Sequence, residues 1–219
     1  QLPSGDYTVT ASLLIGTREA DRIVSRVRVF DPTLTYRPDQ RIAAANGAFS
    51  TAGGRSLFLQ GVNYWPRYTA GLELTRFNES WLTPQSYDPD LVEADLAHLA
   101  SLNFNLVSIQ YKGTDEARSL VDFLDRCRNH GIWANIYADV FIGGGTPAIL
   151  YYGHLQRMNP NIGSLLQAAL LPGNDRVFAY DLLWEPYLGI HSDRVLIDSA
   201  WGAWITDQYG TDANAENIW

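Results

Sequence analysis

Two hydrophobic rhythms divide this chain. From Asp6 to Ile15, polar and apolar residues alternate over the first half of the segment. From Arg22 to Phe30 the alternation is clearer, with Ile23, Val27 and Val29 opposing Arg22, Arg26 and Arg28. A period of two with one polar side predicts two strands of an antiparallel, half-solvated sheet. Residues 16–19 supply the turn. Two strands alone do not make a stable domain, so they read as the tail of a β-sandwich or as a small flap. Asp31-Pro32 breaks the pattern, and residues 31–40 read as a linker. A short hairpin follows, with one arm over 42–49, a turn at Gly53-Gly54 and the other arm from Leu57.

Beyond Leu57 the rhythm changes. Apolar runs at 57–63, 105–111, 132–138 and 178–183 alternate with segments of helical spacing. Such runs predict strands buried on both faces. Asp88-Pro89 is a helix start, Asp capping and Pro in the first turn, and Val92, Leu96 and Leu99 follow at helical spacing. Thr114 is expected to cap the next helix, with Ala117, Leu120, Val121, Leu124 and Cys127 as its buried stripe. Gly131 is its C-terminal stop. A third helix is expected over about 161–171. Ser192 should cap a fourth, which carries Leu196, Ile197, Trp201, Trp204 and Ile205 and closes at Gly210. Strand–helix alternation of this kind predicts an α/β fold with a parallel sheet, either doubly wound or a (β/α)8 barrel. No Gly-x-Gly-x-x-Gly turn follows the first of these strands, which weakens a dinucleotide reading.

Composition narrows the partners. Sixteen Lys and Arg against 24 Asp and Glu leave a net charge of -8. That argues against nucleic acid or an anionic membrane surface. No apolar run reaches the ~18 residues of a membrane span. A single cysteine, Cys127, excludes an intrachain disulfide, and its place on a helical stripe favours a core role. The four histidines show no metal-ligand spacing, and neither metal nor other cofactor is expected. Twelve Tyr, eight Phe and seven Trp suit a large core, and a minority of them suit the apolar faces of sugars.

In a parallel sheet the carboxyl ends of the strands share one side, where such folds carry their chemistry. Here those ends bring together Asn63, Tyr64 and Trp65; Gln110 and Tyr111; Tyr137 and Asp139; Trp184, Glu185 and Tyr187. Aromatics, amides and carboxylates with few cations suit a neutral polyhydroxylated ligand. Glycoside hydrolysis needs a protonated acid and a second carboxylate. Glu185, between Trp184 and Pro186, fits the acid, because an apolar mouth disfavours its charge. Asp139 is the other well-placed acid. Asp181 lies within its strand and reads as a structural hydrogen-bonding group, while Glu73 and Glu79 fall in a loop. Asn78-Glu79-Ser80 matches a glycosylation sequon, a pattern common by chance.

Residues 55–66 (RSLFLQGVNYWP), 178–187 (FAYDLLWEPY) and 201–219 resemble pieces of the retaining β-glycosidases built on (β/α)8 barrels, a clan that includes cellulases, β-mannanases and β-galactosidases. The first resembles their first barrel strand. The second resembles their fourth strand, which ends in Asn-Glu-Pro with Glu as acid/base. The third resembles a helix and turn of β-galactosidase-like members. The resemblance implies a β-sandwich tail and linker over 1–38, followed by about four strand–helix units over 39–219, the first half of a TIM-type barrel. It also implies a retaining hydrolase in which Glu185 is the general acid/base. Asn63, Tyr64, Trp65, Tyr111, Tyr137, Asp139, Trp184 and Tyr187 would contact an oligo- or polysaccharide.

Two departures stand out. Trp184 replaces the family's Asn, and the clan's nucleophilic Glu ends a seventh strand that has no counterpart here. The chain is therefore expected to be a fragment, with little hydrolysis of its own, completed by the other half of the barrel or by a second copy. Its location is expected to be extracellular or at the cell surface. The alternatives are a non-catalytic carbohydrate-binding relative, or an unrelated α/β domain with a structural Glu185.

Overall fold

The computed structural model describes residues 2–29, 36–72, 77–138, 162–181 and 191–219. They fall into two compact units. The larger holds the described residues up to Ala138 together with 162–181, and the smaller holds 191–219.

The larger unit begins with a hairpin, β1 (Gly5–Ile15) and β2 (Arg18–Val29), paired antiparallel with Ile15 opposite Arg18. Gly16-Thr17 is thus a two-residue turn, tighter than the expected four, and Gly16 takes φ 65°. The alternation leaves Val9, Leu13, Ile23 and Val27 exposed. Arg28 pairs across the hairpin with Asp6 at 2.6 Å and ties the hairpin to α3 (Ala117–His130) through Asp125 at 2.5 Å.

Residues 42–49 are not one arm. They divide at Asn46-Gly47 into β3 (Ile42–Ala45) and β4 (Ala48–Thr51), and β5 (Ser56–Leu57) completes a three-stranded antiparallel sheet. Asn46 and Gly47 have φ of 53° and 74°. This left-handed pair is the turn that two-residue hairpins favour, and Asn-Gly is its usual sequence. Leu57 therefore belongs to this small sheet. The first parallel strand is shorter than expected, β6 (Gly61–Asn63).

A four-stranded parallel sheet follows in the order β6, β7 (Leu106–Tyr111), β8 (Trp133–Ala138) and β9 (Val177–Asp181). A short helix α1 (Phe77–Ser80) precedes α2 (Pro89–Ser101). Asp88 caps α2 by accepting from the amides of Asp90 and Leu91. Helix α3 (Ala117–His130) ends at a left-handed Gly131. It is entered through a 3-10 turn, Thr114–Glu116, and has no side-chain cap, so Thr114 does not cap it. Val121 is only half-buried, while Phe123 joins the buried stripe. Helix α4 (Ile162–Ala168) leads to β9.

One face of this sheet and helices α2, α3 and α4 enclose the core. Val107, Ile109 and Tyr111 of β7 and Ala134 and Ile136 of β8 meet Val92 and Leu96 of α2, Leu120, Phe123, Leu124 and Cys127 of α3, and Leu165 of α4. Burial raises the Cys127 thiol pKa, consistent with a core role.

The smaller unit has two helices, α5 (His191–Tyr209) and α6 (Asp212–Ile218). Ser192 lies inside α5 and does not cap it. Gly210 takes φ 78° as expected of a helix stop, and Thr211 caps α6 through the amide of Asn214. Trp201 and Trp204 stack at 5.0 Å. No described helix is long and apolar enough to cross a membrane.

Candidate functional site

The sheet's second face has a different composition, and register defines it. Parallel partners point the same way. Gly61, Leu106 and Trp133 form the lowest layer, at the amino ends of the strands. Asn63, Ser108, Asn135 and Ala179 form the next. Gln110, Tyr137 and Asp181 form the highest, at the carboxyl ends. Helices α2, α3 and α4 pack on the opposite face.

The lowest layer is closed by the small sheet. Trp133 meets the guanidinium groups of Arg55 and Arg176, 5.5 and 4.9 Å from its ring, and donates its indole N–H to Gln40 O at 3.3 Å. Phe49 meets Phe178 edge-on at 5.4 Å. Asn105 pins the start of β7 by donating to Phe58 O and accepting from the Gln60 amide. This end is a plug.

Beside this plug a groove of about 540 Å³ runs along the lowest and middle layers, lined by Gly61, Val62, Asn63, Leu106, Ser108, Asn135 and Phe178. Asn135 donates to Ser108 Oγ at 3.2 Å. In the top layer Gln110 is 4% exposed and Tyr137 7%. Lys112 sits 5.5 Å from the Tyr137 ring centroid and pairs with Glu79 at 2.9 Å. Glu116, in the 3-10 turn after β7, is buried and accepts from the Lys112 amide at 2.9 Å. Burial pushes its pKa up to about 7 despite that bond.

Of the residues expected from sequence, Asn63 and Tyr137 share the open face, and Trp65 follows β6, partly exposed. Tyr64 and Tyr111 lie on the helix face instead. Tyr64 stacks on Phe123 at 5.6 Å and its hydroxyl donates to Asp95 at 3.1 Å. Tyr111 is fully buried and donates to Leu165 O at 2.8 Å. Each is one step out of phase with the open face, so alternation sends it into the core. Asp139, Trp184, Glu185 and Tyr187 lie outside the described residues. Asp181, expected within its strand, shares the top layer with Tyr137. Sequence reading passes over Lys112, Glu116 and the placement of Glu79, because each lies in a turn or short helix that period alone does not position. Among the described residues no group of His, Cys, Asp and Glu is gathered to hold a metal ion.

No family model matches the chain, and no curated protein matches it. A solved structure, the exo-beta-1,4-mannosidase Op5Man5 from Opitutaceae bacterium strain TAV5, is similar at 18% identity and a TM-score of 0.39, over 68% of this chain and 27% of the mannosidase. The chain spans about a quarter of that protein's length, and a likeness at this level says nothing of the site.

Proposed function

We propose that this chain is part of a glycoside hydrolase acting on β-linked sugars by a retaining mechanism. The observation that carries this reading is the polarity of the open sheet face. Parallel sheets are ordinarily apolar on both sides. Here one side carries Asn63, Ser108, Asn135, Gln110, Tyr137 and Asp181 in two adjacent layers towards the carboxyl ends. Amides, a hydroxyl and an aromatic ring suit the hydroxyls and C–H faces of a sugar.

In sequence, β9 is followed by Leu182-Leu183-Trp184-Glu185-Pro186. In this reading Glu185 protonates the leaving oxygen, then activates water in the second step. The nucleophilic carboxylate comes from outside these 219 residues, in a remaining half-barrel or a partner copy, and the whole acts outside the cell or at its surface.

The test is turnover of aryl β-glucosides, β-mannosides and β-galactosides by the full-length protein and its Glu185→Gln variant. Two leaving groups separate the roles. With a methylumbelliferyl group, which needs protonation, the variant should lose about 10²–10⁴-fold in kcat/KM. With a dinitrophenyl group, which leaves unaided, kcat/KM should hold. Equal loss on both, or no loss on either, removes Glu185 from the acid role. Sugar binding without wild-type turnover would favour a carbohydrate-binding protein instead.

A further inference from the structure

We infer that Gln110 is a specificity-determining residue of this site, its side-chain oxygen left without a partner among the described residues so that a neutral sugar hydroxyl can complete it. The inference rests on the glycosidase reading and names a group that reads the substrate. Three observations lead to it.

Gln110 stands in the top layer of the open face, level with Tyr137 and Asp181 at the carboxyl ends of the strands. Its side chain is buried, yet Oε1 accepts no hydrogen bond from any described residue. Buried polar atoms are nearly always paired, because an unmade bond forfeits the solvation given up on burial. One layer lower, the comparable amide of Asn135 is paired with Ser108 at 3.2 Å. The same face thus satisfies one amide internally and leaves the next one open, at the end where ligands of parallel α/β folds bind. A methionine would fill similar volume at Gln110 with nothing left unpaired, so the amide is not explained by packing.

The chemistry of the opening selects the ligand class. A carboxamide both accepts and donates, whichever way its two ends are assigned, which matches a hydroxyl. The nearby cation, Lys112, is engaged by Glu79 at 2.9 Å and by the Tyr137 ring. An anionic group would find no uncommitted positive charge among the described residues of that layer. A hydroxyl of a neutral sugar fits, with the Tyr137 ring beside it.

The experiment compares wild type with Gln110→Met in the full-length protein, using the aryl β-glycoside that wild type turns over best and its monodeoxy analogues. Thermal unfolding is measured alongside. The inference predicts an unchanged or raised Tm for the variant, a kcat/KM at least tenfold lower on the parent glycoside, and near-wild-type kcat/KM on one deoxy analogue. That analogue identifies the hydroxyl being read. A lowered Tm with an unchanged parent-to-deoxy ratio would overturn the inference and make the amide a structural group completed by buried water. A wild type that turns over no glycoside would overturn the glycosidase reading itself, and the role of Gln110 with it.

Discussion

The two faces of the parallel sheet are built from the same strands and serve opposite ends. On the helix face Val107, Ala134 and Ile136 are fully buried and Ile109 and Tyr111 nearly or fully so, packed on Phe123, Leu120 and Cys127. Its deep polar contacts, Tyr64 to Asp95 and Tyr111 to Leu165 O, are completed hydrogen bonds. The open face sets Asn63, Ser108 and Asn135 between the plugged Trp133 layer below and Gln110 above. One face is dry and aromatic, with the Trp81 indole N–H its one described buried group lacking a partner, and the other is polar with the Gln110 oxygen left incomplete. The difference separates residues that hold the fold from residues free to serve a ligand, and it can be broken by substitution.

The largest effect should come from the helix face. Phe123→Ala removes the ring that stacks on Tyr64 and meets Trp81 edge-on at 5.2 Å. It should cost about 3–5 kcal/mol in chemical denaturation, from lost burial and the cavity left behind. A loss below about 1 kcal/mol would show that the face is not tightly packed.

Next in size is Glu116, buried in the 3-10 turn after β7. Its folded pKa, about 7, lies above the ordinary 4.5 because burial penalises the charge. Stability from this group is therefore full below about pH 4.5 and falls as pH rises from there through 7. Glu116→Gln removes the titration. The variant should gain on wild type between about pH 4 and 8 by roughly 3 kcal/mol, because each tenfold difference in proton affinity is worth about 1.4 kcal/mol. At about pH 4 no relative gain is expected. A gain of equal size at both pH values would mean that Glu116 does not titrate there.

The smallest effect on stability should come from the open face. Asn135→Ala loses one bond to Ser108 in a groove, worth about 0.5–1.5 kcal/mol. Its effect on sugar affinity should exceed its effect on unfolding, as titration calorimetry alongside denaturation would show. The reverse ordering would make Asn135 a structural residue.

Much of the architecture is legible in the periodicity. The Asp88-Pro89 start, the Gly131 stop and the apolar runs of β7 and β8 each encode their element locally. Most of what escapes it is decided by context. One miss is not of that kind: residues 42–49 contain Asn46-Gly47, a local hairpin signal that a single-arm reading passes over, and it turns the chain. Leu57 continues an apolar run in sequence but pairs with Phe49 in the small sheet. At the site, strand ends locate Asn63 and Tyr137, but alternation sends Tyr64 and Tyr111 into the core. The face of a strand-end residue depends on register, which a list of aromatics and amides does not contain.

The most direct test of the two-face account is site-resolved. At 24.5 kDa the chain is within reach of side-chain amide spectra. Titration with β-linked gluco- and manno-oligosaccharides should shift the side-chain amide signals of Asn63, Gln110 and Asn135. The Asn105 signal, tied to Phe58 O at the plugged end, should stay in place. Shifts confined to Asn105 and the helices, or no saturable shift at the three open-face amides with any of these sugars, would contradict the assignment of this face to a sugar.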